Sequence, residues 1–90
     1  MDAHEVRERT LSTLVKFVED WGLDVDIAAS TLIVEDLEFD SIDVIQLTVA
    51  LENEFESRQI GFQDLLMQDG RYVDDLRVQD IQVFLEARLL

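Results

Sequence analysis

From Ala3 to Trp21 the apolar residues return at the spacing of a helix, and this pattern limits the possible folds more than any other feature. At about 100° per residue, Ala3, Val6, Leu11, Leu14, Val15, Phe17, Val18 and Trp21 fall on one side. Glu5, Glu8, Arg9, Ser12, Lys16, Glu19 and Asp20 fall on the other. Asp2 stands as an N-cap, with Glu5 three residues on as its capping-box partner. Gly22 follows the last periodic residue, where helices commonly close on a left-handed glycine.

The same period returns twice. One stretch runs from Asp40 to about Glu56; the other, from Val78 to Leu89, places Val78, Ile81, Phe84, Leu85 and Leu89 on one arc. Ser57 to Gly61 reads as a turn, and Phe62 to Met67 is apolar enough for a short helix. The chain has no proline and three glycines, which favours helices over strands and turns. The fold class predicted is all-α: a small four-helix bundle, three helices longer and one short, with residues 1–90 as one domain.

A long loop separates the first two helices. From Leu23 to Asp40 it carries Leu23, Val25, Ile27, Leu32, Ile33, Leu37 and Phe39 without a sustained period. Those residues are expected to pack onto the helices, and loops of this length are often functional. Ser30-Thr31-Leu32 reads as the start of a short helical turn. Asp69-Gly70 signals a tight turn, and Arg71 to Leu76 forms a second connection.

Charge restricts the partners. Twenty-one acids against seven Lys and Arg give a formal net charge of −14. Such a chain is repelled by nucleic acid and by anionic membranes, and attracted to basic patches on proteins. With no cysteine, disulfides and thiolate metal sites are excluded. No apolar run approaches the roughly 20 residues that cross a bilayer. The acidic start, Met1-Asp2-Ala3-His4-Glu5, is unlike a secretory signal, and Met1 is read as opening a stand-alone protein. A soluble, cytoplasmic monomer is expected.

Catalytic patterns are scarce. The single histidine, His4, lies beside the terminus with no sequence neighbour to act with. The acids Asp36, Glu38, Asp40 and Asp43 invite comparison with a calcium loop. That pattern needs glycine at position six and glutamate at position twelve; counted from Asp36, these hold Ser41 and Leu47. No phosphate-cradling glycine loop is present.

The second helix carries the functional signal. Asp40 and Asp43 make an acidic capping box, which leaves Ser41 at the first helical position with its side chain outward. Since Asp40 supplies the cap, Ser41 is free for other chemistry. A phosphate ester on it sits at the positive end of the helix dipole, near unpaired amides. Val44, Leu47, Thr48, Leu51 and Phe55 share the core arc. Ile42, Ile45 and Val49 lie nearly opposite, beside Gln46, Glu52, Asn53 and Glu56. A second apolar face ringed by acids and amides suits a partner surface, unless the long loop covers it.

At these residues the chain resembles the acyl carrier proteins of the phosphopantetheine-binding carrier family. Asp40-Ser41-Ile42 is similar to that family's Asp-Ser-Leu attachment motif, and Asp36-Leu37 to its Asp-Leu-Gly lead-in. Leu47 to Phe55 is similar to the helix that follows, and Leu76 to Leu85 to the start of the last helix. The likeness follows element order along the chain, with specific motifs from about Asp36 to Phe55. It implies a carrier and not an enzyme. Ser41 receives 4′-phosphopantetheine from coenzyme A through a phosphopantetheinyl transferase, and the arm's thiol carries an acyl or aminoacyl group as a thioester. Asp40 positions the serine; Ile42, Asp43, Ile45, Gln46, Val49 and Glu52 dock partner enzymes. Those partners are an acyl-loading enzyme (an acyltransferase or adenylate-forming ligase) and a ketosynthase or other acyl-processing enzyme.

The chain also departs from the family. Glu38 stands where glycine is usual, so a left-handed backbone there is strained or the turn differs. Gln46 replaces a common acid. Arg77 stands where a Ser or Thr cap is usual, so Asp74 or Asp75 is expected to cap the last helix. Met67 to Asp75 is longer than in fatty-acid carriers. With Trp21 and Phe39, these features point to a discrete carrier of a polyketide, mixed peptide–polyketide or other specialised pathway rather than of fatty acid synthesis. A peptidyl carrier, an acidic helical adaptor that is never modified, and a small hydrolase using Ser41 remain the other readings.

Overall fold

The computed structural model describes residues 1–22 and 26–90. Leu23 and Val25, expected to pack onto the helices, lie outside the described residues. The element order is α1 (Ala3–Glu19), α2 (Ser41–Glu54), α3 (Gln63–Leu66), β1 (Met67–Gln68), β2 (Arg71–Tyr72) and α4 (Val78–Leu89). The protein is mostly helical, but the two strands make it more than all-α. None of the described helices is long and apolar enough to cross a membrane.

Helix α1 packs on both α2 and α4. Asp2 accepts the Glu5 amide at 2.9 Å, while the Glu5 carboxylate turns to Arg9 at 3.5 Å. The expected box is therefore only half made, because Arg9 one turn on competes for the acid. Val6, Leu14 and Val18 are buried as their spacing requires. Thr10 is buried with them, its hydroxyl donating to the Val6 carbonyl at 2.7 Å. That internal bond lets a polar residue occupy a core position. Ala3 at the helix start is exposed, and Trp21 is 40% exposed.

The loop after α1 is stitched onto the start of α4. Leu32 forms an isolated antiparallel bridge with Arg77 and is also where the turn expected from Ser30–Leu32 opens. The Asp36 amide closes that turn by donating to the Leu32 carbonyl at 3.0 Å. The amides of Val78 and Gln79 donate to the carbonyls of Thr31 and Ala29 at 3.0 and 2.9 Å. Helix α4 thus satisfies its first amides with the loop backbone and needs no side-chain acceptor from Arg77. Neither Asp74 nor Asp75 caps it: Asp80 accepts the Arg77 amide at 2.9 Å, and Asp75 is used elsewhere.

Val78, Ile81 and Leu85 of α4 enter one core with Leu47, Leu51, Phe55, Ile33, Leu37 and Phe39. Gln82 is buried beside them and donates to the Arg7 carbonyl at 3.1 Å. Helix α2 ends two residues before the sequence boundary. Ser57 N donates to the Glu52 carbonyl and Glu56 N to the Asn53 carbonyl, with Glu56 left-handed at φ 52°. This paired arrangement closes the last turn without glycine.

The hairpin replaces the end of the predicted Phe62–Met67 helix. Met67 pairs with Tyr72 and Gln68 with Arg71 around Asp69-Gly70, whose φ angles are 55° and 77°. Two successive positive φ values define the type I′ turn, whose twist matches that of the strands it joins.

Candidate functional site

Ser41 is the first residue of α2 and is exposed. The box around it is complete: Asp43 N donates to Asp40 Oδ1 at 2.8 Å, and Asp40 N donates to Asp43 Oδ2 at 3.0 Å. The Asp43 amide, chiefly, holds the Asp40 carboxyl below its ordinary range. The first bond of the helical ladder runs from the Val44 amide to the Asp40 carbonyl at 3.0 Å. The amides of Ser41 and Ile42 precede that ladder and point out of the helix end.

The loop before Ser41 is fixed from three directions. Asp36 Oδ2 accepts the Leu32 amide at 2.8 Å. Asp75 accepts the Val34 amide at 2.9 Å and the Glu35 amide at 3.0 Å. The ring of buried Phe39 lies 4.9 Å from Trp21 and 5.5 Å from Phe17, joining the loop to the end of α1. Glu38 sits between these anchors at φ 60°, the left-handed geometry that its glycine-like position implied. Its amide and that of Phe39 donate to the Val34 and Ile33 carbonyls, both at 3.0 Å, so the turn holds it there.

Beside Ser41 runs a groove of about 480 Å³. Phe39, Val44, Ile45, Leu66, Tyr72 and Val73 line it. Asp40, Asp74 and Asp75 also line it, and no histidine, lysine or arginine does. His4 is placed at the exposed start of α1, where Nε2 lies 3.3 Å from Glu8. Among the described residues, no group of three His, Cys, Asp or Glu side chains could hold a metal ion.

The outward stripe of α2 is bare. Ile42, Ile45 and Val49 are 64%, 55% and 50% exposed, and Gln46 is exposed between them. Glu52 is half-buried. Asp43 is also half-buried and gives one carboxylate oxygen to the box, so it offers a partner less than a free acid does. Ile45 belongs to both the stripe and the groove.

Sequence reasoning missed Tyr72, which is 72% exposed and lines the groove. The signal was present in Asp69-Gly70, a strong two-residue hairpin signature when flanked by strand-forming residues. No family model, curated protein or solved structure matches this chain.

Proposed function

We propose that this protein is an acyl carrier whose Ser41 bears 4′-phosphopantetheine. The observation that carries the reading is the placement of Ser41: exposed at the first position of a helix that another residue caps, beside an apolar groove. A phosphodiester there meets the positive end of the α2 dipole. In the transfer, the Ser41 Oγ–phosphorus bond forms as the pyrophosphate link of coenzyme A breaks. Adenosine 3′,5′-bisphosphate leaves, and the serine proton goes to a base of the transferase. The arm's thiol then carries an acyl group as a thioester to partner enzymes.

On this reading the four helices act as the bundle of a carrier, working in the cytoplasm of a specialised pathway. Ile42, Ile45 and Val49 form the contact stripe, with Gln46, Asp43 and Glu52 around it. The charge of −14 steers basic partner surfaces and keeps encounters quick and reversible. The test is intact-mass spectrometry after incubation with coenzyme A and a broad-specificity phosphopantetheinyl transferase. One added phosphopantetheine, absent in Ser41→Ala, supports the reading; no addition to the folded protein overturns it.

The bare stripe of α2 also favours a second reading, an adaptor that binds a basic and apolar surface without modification. In that case Ser41→Ala leaves partner binding and pathway output intact. A hydrolase using Ser41 finds no histidine in the groove beside it.

A further inference from the structure

A second groove, of about 1180 Å³, lies between the hairpin and α4. Its walls are β2 with the chain that follows it, and the first turns of α4; no residue of α2 lines it. Two independent features show what fits there.

The first is a free strand edge. Gln68 and Arg71 flank the two-residue turn and form its bonded pair, and the Val73 amide bonds the Leu66 carbonyl at 2.9 Å. Tyr72 lies between these bonded positions. In an antiparallel pair such a residue turns its N–H and C=O away from the partner strand. Neither group bonds a described backbone group outside the hairpin. Beside this edge the side chains of Tyr72 and Val83 are 72% and 54% exposed.

The second is charge. Asp69, Asp74, Asp75 and Asp80 line the groove against Arg7 and Arg71. Glu86 engages Arg7 at 2.6 Å, and amides occupy both oxygens of Asp75. Asp69 and Asp74 accept no hydrogen bond from any described side chain or amide. Arg71 is then the one groove cation without an acidic partner among the described residues.

We infer that this groove docks an extended, lysine- or arginine-rich segment of a partner protein as a third strand along β2. The Tyr72 backbone supplies the ladder bonds, and Asp69 and Asp74 meet the cations. An apolar residue of the segment packs between Tyr72 and Val83. The site adjoins the groove beside Ser41 and shares Tyr72, Val73, Asp74 and Asp75 with it, but Ser41 does not line it. A tether here raises the effective concentration of a partner whose contact with α2 is weak.

The test uses a fluorescent alternating lysine–valine heptapeptide, followed by anisotropy and by amide chemical shifts of the full chain. Binding should shift the resonances of Arg71–Asp75 and Gln79–Val83 and slow exchange of the Tyr72 amide. Asp69→Asn combined with Asp74→Asn should weaken binding about fivefold, the scale of one or two exposed ion pairs. Ser41→Ala should leave it unchanged. The same peptide with a central proline, which lacks an amide and resists the ladder, should bind markedly less. Equal binding of the proline peptide, shifts centred on α2, or no binding at millimolar peptide each overturns the proposal.

Discussion

Asp75 accepts the amide of Val34 at 2.9 Å across 41 positions of chain, and so binds the loop before Ser41 to the loop before α4. The same carboxylate accepts Glu35 N at 3.0 Å and Leu76 N at 2.8 Å. Asp75→Ala leaves three amides without this acceptor and should destabilise the fold by about 2 kcal/mol, measured by urea unfolding. If Ser41 is the modified residue, the variant should also be a poorer transferase substrate at temperatures where it remains folded.

Glu38 should be replaceable with profit to stability. At φ 60° its backbone is in the left-handed region, where glycine carries no steric penalty. Glu38→Gly should raise stability by roughly 0.5–1 kcal/mol, since the strain relieved exceeds the entropy gained by the unfolded chain. Glu38→Val should lower it, because a β-branched side chain is worst at positive φ. Melting temperatures of the three proteins decide the matter.

Two residues two positions apart on α2 should behave oppositely. Leu51 is 1% exposed and Val49 is 50% exposed. Leu51→Ala should cost roughly 2–5 kcal/mol through lost burial and the cavity left behind. Val49→Glu should stay within about 0.5 kcal/mol of wild type; if the α2 stripe docks partner enzymes as proposed, it should impair only reactions with them. A large fall in melting temperature for Val49→Glu would place it in the core.

The box at Ser41 should show in the acid limb of stability. The Asp40 carboxyl titrates below its ordinary value of 3.8 because the Asp43 amide, chiefly, bonds its charged form. Its contribution is therefore present above the unfolded-state value and is lost as pH falls through the lower folded-state value. Asp40→Asn keeps an acceptor but removes this titration. Thermal melts between neutral pH and the acid limb should show a shallower decline for the variant.

The long helices were legible because their periods are unambiguous. Val6, Leu14, Val18, Leu47, Leu51, Val78, Ile81 and Leu85 are buried as their spacing demands. The helix starts at Asp2 and Asp40 were legible from the short acidic side chains that receive amides there. What escaped depends on pairing between distant segments. Leu32 meets Arg77, and Asp75 serves the Val34 turn, so neither could be read from its own neighbourhood. Buried Gln82 is of the same kind, since its partner is the carbonyl of Arg7. The hairpin was the local miss: two left-handed residues at Asp69-Gly70 outweighed the apolar run that looked helical. At the site, the position of Ser41 and the exposure of Ile42, Ile45 and Val49 followed from the pattern of α2 alone. The groove did not, because Tyr72 and Val73 reach it through the tertiary fold.

The aromatic contact between Trp21 and Phe39 gives the protein an optical label of its own. Trp21 is the single tryptophan, and its ring lies 4.9 Å from a residue two positions before Ser41. Phe39 also lines the groove beside that serine. Emission from the unmodified chain therefore reads the environment of the serine loop directly, and any occupant that displaces Phe39 should change the colour or intensity of that light without a dye being attached.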